Sequence, residues 1–268
     1  MEGFLARILL RLWVILILLF LFIPLVLIFV YAFNTSNIES WPIPGLTFKW
    51  FLPTWNDPDI RRSLGLSLQV ALGATALALV LGSLAAFAIH RMTWFGKEVV
   101  SLMFVLPLAL PGIVTGIALY SAFSFSNVTL SILTIIVGHT TFCIVVVYNN
   151  VLARLRRTQG SLVEAAMDLG ANGFQVLRDI TLPLISTAVV AGAMLAFALS
   201  FDEVIVTTFT AGAQNTLPLW IFGAIRLGQR LPEVNVVVSF VILVTIVPVL
   251  IAARLTGGGG TARVPAAR

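Results

Sequence analysis

Two adjacent carboxylates, Asp202 and Glu203, interrupt the apolar run LSFDEVIVTTF at residues 199–209. An acid surrounded by hydrocarbon is expensive to keep ionised, so such residues face a cavity, a permeation path or a partner group. Two roles fit. Asp202 and Glu203 line a path for a cation, or they form a structural pair bonded to a companion subunit or to Arg226. His139, beside Thr140 and Thr141 in another apolar run, is expected to make an interhelical hydrogen bond rather than to bind a ligand. His90, next to Arg91 at the end of a run, is placed among headgroups or at a helix C-terminal dipole. The single cysteine, Cys143, forms no intrachain disulfide and reads as a small packing residue. No metal-ligand spacing and no nucleophile with a base is present, so the polar residues point to binding and passage, not to an enzyme.

The solvent around these residues follows from composition. Hydrophobic residues make up 59% and charged residues 10% of the chain, and mean hydropathy is +1.06. Soluble proteins carry roughly 25% charged residues, so this is a bilayer protein. The net charge of +5 sits at the ends of apolar runs rather than on one solvated face, which argues against nucleic acid as a partner. Six runs are long enough to span, near 8–33, 64–89, 99–125, 130–153, 184–210 and 233–254. None alternates like a membrane barrel strand. The expected fold is an all-α integral membrane protein with six transmembrane helices in one transmembrane domain, 1–255, followed by a glycine-rich flexible tail, 256–268. The first run is too long for a signal sequence and is read as a retained helix.

Basic residues orient the bundle. Placing both termini in the cytoplasm puts Arg7, Arg11, Arg91, Lys97, Arg154, Arg156, Arg157, Arg178, Arg254, Arg263 and Arg268 inside, against Lys49, Arg61, Arg62, Arg226 and Arg230 outside. Trp41, Trp50 and Trp55 in the first outer loop suit an interfacial aromatic belt. Pro107 and Pro111 are expected to kink the third helix. Pro232 and Glu233 suit the first turn of the last helix.

The most polar cytoplasmic segment is EAAMDLGANGFQVLRDITLP, residues 164–183. Ser161 and Glu164 have capping-box spacing, so a short helix is expected to start at Ser161. Gly170 and Gly173 should stop it. A second short helix is expected from about Phe174, ending before Pro183. Leu162, Ala165, Ala166 and Leu169 fall on one face, a surface suited to a groove on a soluble partner.

Glu164-Ala165-Ala166, then Gly170, then Ile180-Thr181-Leu182-Pro183 resembles the EAA motif of permease subunits of ATP-binding-cassette importers. The resemblance implies a type I importer permease fold. It implies that loop 154–183 forms coupling helices seated in a cleft of an ATPase subunit, with Glu164, Ala165, Ala166, Gly170, Ile180, Leu182 and Pro183 as the coupling residues. It further implies, as partners, a homologous or identical second permease, two ATPase subunits and an external binding protein, in the bacterial inner membrane. The chain has no G-x-x-x-x-G-K-[ST] phosphate loop, so ATP and magnesium would be used by the ATPase and no cofactor by this chain. Stretches such as SFDEVIVTTFTAGAQNTLPLWIFGAIRLG and PEVNVVVS resemble the spermidine/putrescine permease branch. Importers of iron, thiamine, 4-aminobutyrate and other small solutes share parts of these patterns. An ion-driven secondary transporter and a membrane-embedded enzyme are the rival classes.

Overall fold

With no water to satisfy backbone polar groups in hydrocarbon, a chain this apolar must bond its backbone within helices. The computed structural model, which describes residues 3–257, has that form. In chain order the helices are α1 Phe4–Ala32, α2 Phe51–Asn56, α3 Pro58–Arg91, α4 Lys97–Ala109, α5 Gly112–Phe125, α6 Ile132–Arg157, α7 Gly160–Asp168, α8 Gly173–Gln175, α9 Leu182–Phe201, α10 Ile205–Thr210, α11 Leu217–Arg226 and α12 Leu231–Gly257. A π-helical segment, Val176–Thr181, joins α8 to α9. Among the described residues the one extended pairing is an isolated bridge between Asn34 and Leu46. The tail expected to be flexible lies, from residue 258 on, outside the described residues.

Among the described residues, four helices are long and apolar enough to cross a membrane: Ala6–Ala32, Pro58–Arg91, Ile132–Arg157 and the continuous Gly173–Phe201. The third run is not one straight span but α4 and α5, bent by 99° at their junction. Counted together, they make a fifth. Pro107 is absorbed within α4, and the break falls at Pro111, where the preceding Leu110 takes the extended conformation a following proline favours. The fifth run also divides. Instead of continuing to 210, α9 ends at Phe201, and α10 restarts after Asp202, Glu203 and Val204. The Glu203 carboxylate accepts the Val206 N–H at 2.9 Å, capping the new helix and favouring the interruption.

The chain forms two units, Met1–Ile60 with Gly223–Arg268, and Arg61–Phe222. In the second, α6 is the spine. Phe142, Cys143, Val147, Tyr148, Val151, Leu152 and Leu155 pack with Ala78, Ala86 and Ile89 of α3, Ile185 and Ala196 of α9 and Val206 of α10. At Gly82 a Cβ would stand 2.9 Å from the Ile144 carbonyl oxygen, so α3 and α6 approach as closely as only a small residue permits.

In the first unit α1 and α2 lie against α12. The intervening loop is pinned by Phe33, Phe48 and Phe51, whose ring centroids are 5.0 to 5.5 Å apart. Trp50 donates its indole N–H to the Asn34 carbonyl at 2.7 Å, so this tryptophan braces the loop, while Trp41 and Trp55 remain exposed. Arg230 pairs with both Asp57 and Glu233. The last helix starts at Leu231, one residue before the expected Pro232, with Glu233 in its first turn.

Candidate functional site

Two places collect the polar residues singled out in the sequence. The first is the segment from α7 to α9. Here α7 begins at Gly160 with Gln159 at its N-cap and no side-chain cap bond. The expected Ser161–Glu164 capping box is therefore corrected: the helix starts earlier, and Glu164 lies exposed within it rather than closing its end. The stop falls at Gly170 as expected. Gly170 takes φ +88, its N–H bonds the Met167 carbonyl at 2.9 Å, and the Ala171 N–H bonds the Ala166 carbonyl at 3.0 Å. This is a Schellman closure, which needs a left-handed residue at that position.

After the turn, Asn172 and Gln175 form a capping box, with Asn172 accepting from Phe174 and Gln175 N–H groups and Gln175 accepting from the Asn172 N–H. The second helix does not end before Pro183. It widens to the π form over Val176–Thr181 and runs on into α9, with Pro183 in the first turn of α9. The wider turn relaxes the contact between the proline ring and the carbonyl four residues earlier. Gly170 and Ile180, ten positions apart in the motif, line one hollow with Leu169, Ala171, Gln175 and Asp179. Ala165 is exposed, Ala166 half-buried, and Leu182 and Pro183 exposed. No residue of α7 is buried. Leu162, Met167, Leu169 and Phe174 are all exposed, Leu169 to 89%.

The second place is the break after α9. Asp202 and Glu203 are neighbours in sequence but differ in setting: Asp202 is exposed, whereas Glu203 is half-buried. Glu203 lines a cavity of about 180 Å³ at the α4–α5 bend, with Pro107, Leu108, Leu110, Gly112, Thr115, Phe142, Leu199 and Val206. The Thr115 hydroxyl oxygen, on the same wall, is buried with no hydrogen-bond partner in the structure. Sequence reasoning missed Thr115, although a hydroxyl four residues after a helix-breaking proline was its visible signal. One carboxylate and one hydroxyl among apolar walls are suited to a cationic or amine group.

Behind the break stands His139. Its Nδ1 lies 2.8 Å from Ser200 Oγ and its Nε2 2.8 Å from Thr207 Oγ1. Thr207 already donates its one hydroxyl proton to the Glu203 carbonyl. It must therefore accept from Nε2–H, and Ser200 donates to Nδ1. The imidazole is the satisfied interhelical bridge expected of it, tying α6 to both sides of the break.

Comparison with known proteins bears on what these places do. Residues 78–257 match the family model described as binding-protein-dependent transport system inner membrane component. The chain is 35% identical to the spermidine/putrescine transport system permease protein PotC of Shigella flexneri, over 86% of this chain and 89% of that one. It is 34% identical to the putrescine transport system permease protein PotI of Escherichia coli strain K12, over 80% and 78%. Among solved structures, a chain of a bacterial ABC transporter involved in import of the acidic polysaccharide alginate matches with TM-score 0.69. It covers 97% of this chain and 99% of that one, at 16% identity.

Proposed function

This chain belongs to the family of binding-protein-dependent transport system inner membrane components, and from that premise we propose that it is the membrane-path subunit of an ATP-driven importer of polyamines. Its six apolar runs cross the bacterial inner membrane with both termini in the cytoplasm, α12 supplying the sixth. It pairs with a second permease, two ATPase subunits and an external binding protein. ATP and magnesium are used by the ATPase, and closure of that partner is transmitted through α7.

The observation that carries this reading is the state of the EAA segment. A helix with no buried residue presents Leu162, Met167 and Leu169 to solvent beside a left-handed glycine turn. Exposed apolar residues around a rigid turn are suited to a groove on another protein. Glu164, Ala165, Ala166, Gly170, Ile180, Leu182 and Pro183 are the coupling residues of this surface.

Substrate choice rests on the names of the relatives and on the chemistry of the Glu203 cavity. A polyamine is a flexible cation with apolar spacers. Glu203 would meet an ammonium group, Thr115 would accept a hydrogen bond from it, and the apolar walls would carry the methylenes. Asp202, exposed beside the break, would attract the cation on its approach.

The test is co-purification of the ATPase subunit with the full chain. Replacing Leu169 with Asp should abolish co-purification and uptake while membrane insertion persists. If Leu169→Asp binds the ATPase and supports uptake like the parent protein, α7 is not the coupling surface.

A further inference from the structure

Away from both places, Lys97 and Glu98 at the start of α4, Ser101 one turn on and Arg156 near the end of α6 line a hollow of about 450 Å³. His90 lies within electrostatic reach of Lys97, Arg156 and Arg91, so cationic groups from the ends of three helices gather there. No carboxylate stands in ion-pair range of Arg91, Lys97 or Arg156 among the described residues. Glu98, though it lines the hollow, pairs with none of them. Cations brought together and held in no ion pair repel one another, and an anion relieves that cost.

The surroundings point to the kind of anion. The α3–α4 connection exposes Trp94 and Phe95, the latter to 90%, with ring centroids 4.7 Å apart. Exposed aromatics beside basic residues mark the headgroup level of a bilayer. On the side of α4 turned away from Lys97 and Ser101 runs an unburied apolar stripe, Val99, Leu102, Met103 and Leu106, at the spacing that makes one helix face, as suits a helix that enters the bilayer beside the hollow. Ser101 is held by a 2.7 Å hydrogen bond to Tyr148, which fixes the floor of the hollow against the α6 spine.

We propose that this hollow is a binding site for an anionic phospholipid. The headgroup phosphate sits between Lys97 and Arg156, and the acyl chains extend into the bilayer beside α4. Glu98, in the same lining, weakens binding, which limits the site to lipids with a full net negative charge.

Native mass spectrometry of the full chain, with phosphatidylglycerol or phosphatidylcholine added at equal concentration, tests the site. Each basic residue at headgroup depth contributes about a fivefold preference for anionic lipid. With Glu98 offsetting one of the two basic residues, the parent protein should therefore retain phosphatidylglycerol about fivefold better than phosphatidylcholine. The double variant Lys97→Gln with Arg156→Gln should lose that preference. Lys97→Arg with Arg156→Lys should keep it, and Glu98→Gln should increase it. Equal retention of the two lipids by the parent protein overturns the proposal without any variant. So does displacement of phosphatidylglycerol by millimolar inorganic phosphate, which marks a free-anion site, or by the ATPase subunit, which marks a protein contact.

Discussion

His139 Nε2 stands 2.8 Å from the hydroxyl of Thr207, across the interruption that splits the fifth apolar run. Because Thr207 gives its proton to the Glu203 carbonyl, removing its hydroxyl leaves the buried Nε2–H without an acceptor. Thr207→Val keeps the shape and should cost about 1–2 kcal/mol of stability, measured as a lowered unfolding midpoint in detergent. Adding Ser200→Ala should cost less than the sum of the single changes, because both act on one imidazole. Strict additivity would show that the bridge does not act as a unit.

Glu203→Gln separates charge from structure. A glutamine oxygen still accepts the Val206 N–H, so α10 keeps its cap and the chain should assemble normally. Loss of one charge-assisted contact to an ammonium group should lower spermidine uptake about tenfold or more. Asp202→Asn, at an exposed position outside the cavity, should have a smaller effect. If the order is reversed, the cavity is not the cation contact.

Gly170 at φ +88 should resist any side chain. Gly170→Ala places a Cβ in the left-handed region at about 1–2 kcal/mol and should loosen the α7 turn, reducing ATPase co-purification. Glu164→Gln makes the opposite kind of change. Since Glu164 does not cap α7, the helix should persist, seen as unchanged far-ultraviolet circular dichroism, while affinity for the ATPase falls. Loss of helix in Glu164→Gln would restore the capping role.

Outside the membrane-spanning segments, burial pushes the Asp57 carboxyl up. The Arg230 guanidinium and the Ile60 and Asp59 N–H groups outweigh it, and hold the carboxyl below its ordinary value. A lowered carboxylate favours the folded state above its ordinary range near about 4, and that contribution fades as pH falls through the lowered value. The unfolding midpoint of the parent protein should drop on acidification below about pH 4, more steeply than that of Asp57→Asn. Parallel curves would remove Asp57 from the acid response.

The spans were legible because hydrocarbon imposes a simple composition rule, and α1, α3 and α6 follow it closely. Interruptions were less so. Asp202 and Glu203 stood out by charge, but which of two adjacent acids faces the cavity depends on the break between α9 and α10. Pro183 read as a stop because the sequence does not disclose a π turn that makes room for its ring. Ser161 and Glu164 matched a capping pattern, yet Gln159 took the N-cap and the side-chain bond did not form. Lys97 and Arg156 meet only in the fold, so their hollow had no local signal.

The most direct measurement is spermidine uptake into proteoliposomes holding this chain, its partner permease and the ATPase, with binding protein outside and ATP within. The account predicts uptake that requires ATP and the binding protein, persists when ion gradients are collapsed, and falls with Glu203→Gln. Uptake driven by an ion gradient without ATP, or no uptake of polyamine under conditions where another solute is imported, would contradict it.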